Sequence, residues 1–160
     1  MTVNKLVLDA FTEDDYKLIA IHSSIEAYKL AFFLNKLLDI KLAREECDVD
    51  FNHKHGIAYY PLFSYFSKSL GCNYYLVANK YKIKREEIVL HDQLFLEEEK
   101  ITTHLLPEYK NVDYLLKVED STEMLSVKKL LLDINKIQQV VTAYEVDIST
   151  LKSNENLIFN

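Results

Sequence analysis

Apolar residues recur at helical spacing in two stretches of this chain and alternate nearly everywhere else. In the first, Ala27, Leu30, Ala31, Leu34, Leu37 and Leu38 share a face while Glu26, Lys29 and Lys36 share another, which predicts a helix over 24–39. Ser23 with Glu26 three residues later has the spacing of a capping box. In the second, Val127, Leu130, Leu131, Ile134 and Ile137 predict a helix over 122–137, with Ser121 or Thr122 as its N-cap. Alternation marks strands at 6–10, 57–66, 73–83, 112–118 and 140–148, and residues 101–106 are expected to be extended. The segment 17–22 is apolar on both sides, which suits a central strand. Residues 57–66 and 73–83 are expected to pair as a hairpin, with Pro61 marking an edge or a bulge. This order of elements predicts an α+β domain, a mainly antiparallel sheet with both helices packed on one face. No repeat or linker divides residues 1–160, so one globular domain is expected.

Glycine is nearly absent, and that limits function. With Gly56 and Gly71 alone, the chain holds no dinucleotide fingerprint, no P-loop and no nucleophile elbow, all of which need several glycines at fixed offsets. No cofactor is therefore expected. A net charge of −6 opposes broad binding to polyanions, so nucleic acid is a disfavoured partner. Two cysteines, Cys47 and Cys72, are too few for a disulfide framework. The apolar run 30–34 is far short of a membrane span, and the first residues lack a secretory pattern. A cytoplasmic protein with reduced thiols and no membrane partner is the expectation.

Several side chains invite chemistry. His53 and His55 lie near Asp48 and Asp50, but a histidine pair in a turn supplies two ligands at most, and surface histidines explain it as well. His22 could serve Ser23 or Ser24 as a base, against the capping role of Ser23. Lys80, Lys82, Lys84 and Arg85, with Tyr74 and Leu76 upstream, resemble a single-stranded RNA surface; lysines guarding a strand edge are the plainer reading. Glu108 and Asp113 could act as an acid–base pair, or fix a turn and accept backbone hydrogen bonds. The apolar end Leu157-Ile158-Phe159 is a candidate interaction site, docking on its own core or on a partner.

The stretch Leu106-Pro107-Glu108-Tyr109-Lys110-Asn111-Val112-Asp113-Tyr114 resembles the signature of the bacterial IPExxxVDY family, with Leu106 in place of the first isoleucine. The segments Ile21-His22-Ser23-Ser24, Thr142 through Asp147, and Leu151 through Phe159 extend the resemblance over most of the chain. The resemblance makes Pro107, Glu108, Val112, Asp113 and Tyr114 the signature candidates, and it carries no activity, ligand or catalytic residue. With no complete catalytic motif and with 11 tyrosines, the chain is expected to be a non-catalytic module that contacts another protein or a second copy of itself. The alternative is a small-molecule-sensing domain of the ACT type, suggested by the helix-then-strand order over 122–148; an RNA-binding protein and a carboxylate enzyme rank below both.

Overall fold

The computed structural model describes residues 16–84 and 100–159. The expected strand at 6–10, Arg85 and most of the charged stretch 84–100 lie outside these residues. The chain runs β1 (Tyr16–Ser23), α1 (Ala27–Leu38), β2 (Ala43–Arg44), β3 (Val49–His53), β4 (Gly56–Tyr60), β5 (Leu62–Ser67) and β6 (Cys72–Ala78). It continues through β7 (Lys80–Lys84), β8 (Lys100–His104), β9 (Tyr114–Asp120), α2 (Val127–Ile134) and β10 (Val140–Val146). The main sheet has the order β10-β1-β9-β6-β5-β2, and its paired neighbours are antiparallel. Two further hairpins, β3–β4 and β7–β8, stand apart from it. The fold is α+β, as the patterning predicts.

Both faces of the sheet are covered, by different means. Ile19, Ile21, Tyr74, Leu76, Leu116 and Val118 point to the helices, where Leu30, Leu34, Leu130 and Ile134 meet them. Leu18, Ala20, Val77 and Leu115 point the other way, onto Ala58, Tyr60, Ile83, Leu105, Leu106 and Leu157. That division explains why β1 is apolar on both sides: it lies between β10 and β9, inside a three-layer stack.

The expected long hairpin is broken on both arms. Proline at 61 has no N–H to give, and Asn79 gives its N–H to Asp113 rather than to β5. Only Leu62–Ser67 and Cys72–Ala78 pair in the main sheet. Beyond the break, β4 and β7 leave the sheet and stay side by side, the Tyr59 and Tyr81 rings 6.2 Å apart. The glycine at 71 turns β5 into β6 with φ +65°, a conformation an L side chain rarely takes.

The helix starts also differ from expectation. Helix α1 begins after Glu26, and Ser23 is still in β1, its hydroxyl donating to the Gln139 carbonyl at 2.7 Å. Helix α2 starts at Val127, capped by Ser126, whose hydroxyl accepts from the Lys129 N–H. Thr122 serves the preceding turn instead, donating its N–H and hydroxyl to Asp120 at 3.0 and 2.7 Å. In both cases a distant or neighbouring polar partner outcompetes the local capping geometry.

Candidate functional site

The signature segment wraps around one buried amide. Asn79 sits at the break between β6 and β7 with no exposed surface. Its Nδ2 donates to the carbonyls of Tyr109 and Val112, both at 2.9 Å, and its Oδ1 accepts the Leu106 N–H at 2.8 Å. Its backbone carbonyl accepts from Leu105 N–H and its own N–H reaches the Asp113 carbonyl, each at 2.9 Å. One residue thus satisfies the backbone of a loop that carries no ladder of its own. Pro107 opens a 3-10 helix, Pro107–Tyr109, where its missing N–H costs nothing.

The candidate carboxylates face different parts of the molecule. Asp113 accepts the Ser23 N–H at 2.9 Å and the Lys80 ammonium at 2.8 Å, holding the end of β1 to the start of β7. Glu108 accepts the N–H groups of Lys152 and Ser153, both at 2.9 Å, and the Ser153 hydroxyl at 3.1 Å. Partial burial pushes the Glu108 carboxyl up, yet the donors from Ser153, its own N–H and Lys152 outweigh it and hold it below the usual carboxylate range. A general acid would need the opposite shift. Val112 is buried, and Tyr114 donates its hydroxyl to the Ile25 carbonyl at the entry to α1. Burial, with the charges of Asp113 and Glu26 added, pushes the Tyr114 phenol up to about 12.

The apolar C-terminal segment docks on its own sheet. Leu157 is 1% exposed, Phe159 stacks near Tyr75 with centroids 5.4 Å apart, and Ile158 stays in water. Beneath the segment lies Lys117, a lysine buried in the middle of β9. Its ammonium donates to the Leu157 carbonyl at 3.0 Å and pairs with Glu119 at 2.8 Å. Three rings surround it, Tyr16 at 4.7 Å, Phe159 at 5.7 Å and Tyr75 at 5.9 Å from their centroids. Sequence reasoning missed both Asn79 and Lys117. For Lys117 a signal existed, a lone cation inside the run Tyr114-Leu115-Leu116-Lys117-Val118.

The other candidates resolve into separate local roles. His22 meets the Tyr144 hydroxyl at 3.2 Å, while the Ser23 hydroxyl is spent on Gln139, so no serine–histidine pair forms between them. His53 meets the Tyr60 hydroxyl at 2.9 Å, which in turn donates to Thr103 at 3.0 Å, and Asp48 pairs with Arg44. Among the described residues no group of three or more histidines, cysteines or carboxylates could hold a metal ion. Tyr74 and Leu76 are buried against the helices, so they present no ring or face for a nucleic-acid base beside Lys82 and Lys84. Among the described residues no helix is long and apolar enough to cross a membrane. Cys47 is exposed; Cys72 is buried, and burial together with the neighbouring Asp120 pushes its thiol up to about 11, far from a reactive thiolate.

Asp120 gives a pH test. Burial opposes its charge, but the Thr122 hydroxyl, the N–H groups of Leu125 and Thr122, and the Cys72 thiol lower its pKa from 3.8 to about 2. A carboxyl whose pKa falls on folding contributes stability above its unfolded pKa and loses it as pH drops through the folded one. We therefore expect the contribution of Asp120 to be complete above about pH 4 and to vanish toward pH 2. In urea titrations, Asp120→Asn should be less stable than the parent at pH 6, with the gap closing at pH 2 to 3; a gap constant over that range refutes the assignment.

Clefts and an exposed helix face also lie among the described residues. A groove of about 350 Å³ runs past Tyr16, Lys17 and residues 145–148, and its Lys17 and Glu145 pair with each other at 3.9 Å. A recess of about 210 Å³ lies between β5, β6 and Phe159. On α1, Tyr28 and Phe32 face water at 61% exposure each, and Phe33 supports Phe32 edge-on at 5.6 Å. No family model, curated protein or solved structure matches this chain.

Proposed function

We propose that this chain is a non-catalytic contact module and that a partner protein docks on the outer face of α1. The carrying observation is the pair Tyr28 and Phe32, one helical turn apart and both mostly in water. Scattered exposed apolar residues are ordinary, whereas adjacent aromatics on one helix face are what interfaces are enriched in. Lys36 and Lys29 flank this stripe, Lys29 with its ammonium 5.7 Å from the Tyr28 ring and paired with Glu26 at 2.9 Å, so an apolar surface with an acidic group for Lys36 would complement it. The reading is supported further by Glu108 and Asp113, each engaged by backbone donors of a different segment instead of converging on a shared space. Kinship with the IPExxxVDY proteins belongs to the same proposal and rests on the signature stretch and the three segments quoted above.

Cross-linking mass spectrometry in the native cell tests it, comparing the parent with Tyr28→Ser/Phe32→Ser. Exposed sites rarely matter to stability, so the melting temperature should move by no more than about 2 °C. Cross-links from α1 to a partner should disappear. Equal cross-linking by parent and variant, with both folded, removes α1 as the docking face.

A further inference from the structure

The geometry points to a binding site for a guanidinium or alkylammonium group in the recess beside Phe159, on the sheet face opposite the helices and therefore separate from the α1 stripe. The recess holds about 210 Å³ and is lined by Glu45, Ser64, Phe66, Asn73, Tyr75 and Phe159 among others. Strand register explains the composition. Ser64 lies opposite Tyr75 and Phe66 opposite Asn73, so this corner of the sheet shows two rings and two small polar groups side by side. The C-terminal segment covers the neighbouring strands, and the Phe159 ring forms one wall of the recess.

Charge decides the ligand class. Glu45 has no cation paired with it among the described residues; its Oε1 accepts the Ser64 hydroxyl. The nearest buried ammonium, Lys117, is on the other side of Tyr75, on β9 rather than β5, and Glu119 already neutralises it at 2.8 Å. What remains on the recess side is a carboxylate beside aromatic faces. Ring faces carry negative quadrupole charge, and with an adjacent carboxylate they attract a flat or methylated cation more strongly than a neutral group of the same shape. The same tyrosine and phenylalanine that enclose Lys117 show that this sheet face already holds one cation by that means.

The test uses the whole chain labelled with nitrogen-15, and it follows amide signals of residues 64, 66, 73 and 75. The probes are a blocked Gly-Arg-Gly peptide, free arginine, and the same blocked peptide with citrulline, which keeps the shape and loses the charge. Saturable shifts at these residues with the arginine peptide and none with citrulline are expected. Glu45→Gln should weaken binding about fivefold, the effect of one exposed charge contact. Phe66→Ala should weaken it without disturbing the rings around Lys117. A tighter fit for the peptide than for free arginine assigns the site to a protein side chain, and the reverse assigns it to a small metabolite; both support a cation site. Equal shifts with citrulline, no saturable shift with any probe, or unchanged binding by Glu45→Gln overturns it. Because Tyr28→Ser/Phe32→Ser leaves this recess intact, loss of the α1 contact and loss of cation binding are separable results.

Discussion

Asn79→Ala is expected to lower stability by about 4 kcal/mol and the melting temperature by roughly 10 °C. The mutation removes three side-chain hydrogen bonds at a site with no exposed surface. The Tyr109 carbonyl keeps a second partner in the Val112 N–H at 3.1 Å. The Leu106 N–H loses its acceptor, the Asn79 Oδ1, and the Val112 carbonyl loses its donor, the Asn79 Nδ2. Each buried orphan costs about 1–3 kcal/mol, and the vacated volume adds to that. Asn79→Asp discriminates further. Its carboxylate would face two carbonyl oxygens, so folding raises its pKa, and the variant should gain stability as pH falls toward 4 and the group becomes a donor. Chemical denaturation measures both. An alanine variant within about 1 kcal/mol of the parent would show that the signature loop holds its shape without Asn79.

Removing residues 154–160 is expected to cost about 4–6 kcal/mol, more than half of it from Leu157, whose truncation to alanine alone should cost about 2–4 kcal/mol. The segment also supplies the Leu157 carbonyl to Lys117, the Phe159 ring above the same ammonium, and the Asn156 amide that donates to the Leu105 carbonyl at 2.9 Å. Its loss leaves Lys117 with Glu119 and two rings on an exposed apolar face. Truncation opens the ammonium to water, so its burial cost goes with its partners, and Lys117→Met should cost about 1–3 kcal/mol in the parent and almost nothing in the truncated chain. That coupling in a double-mutant cycle is the decisive reading; additive effects would mean that Lys117 and the segment are independent. Glu108→Gln should cost about 1 kcal/mol, since its amide keeps one acceptor for the two N–H groups of Lys152 and Ser153.

The signature was legible as a place, and partly as a role. Proline and aspartate suggested a turn with backbone acceptors, and Asp113 and Glu108 do accept backbone N–H groups. Their partners were not legible, because Glu108 meets a residue 44 positions away and Asp113 one 90 positions away. The candidate docking face shows the converse. Phe32 and Phe33 are adjacent and equally apolar, yet Phe32 is left in water while Phe33 packs on the core. Adjacent residues on a helix differ by about 100°, and only the way α1 lies against the core decides which of the two is covered.

The local periods of side-chain direction are a property of the chain itself, 3.6 residues for a helix and two for a strand. They suffice for two helices, for alternating strands, and for a β1 apolar on both faces and therefore central. Where the chain leaves the sheet is a different matter. Pro61 breaks its strand locally, having no N–H to give, but Asn79 ends its strand because its N–H goes to Asp113, a choice made across 34 residues of chain. Polar atoms find partners by proximity in space, and proximity arises only once the apolar layers have closed.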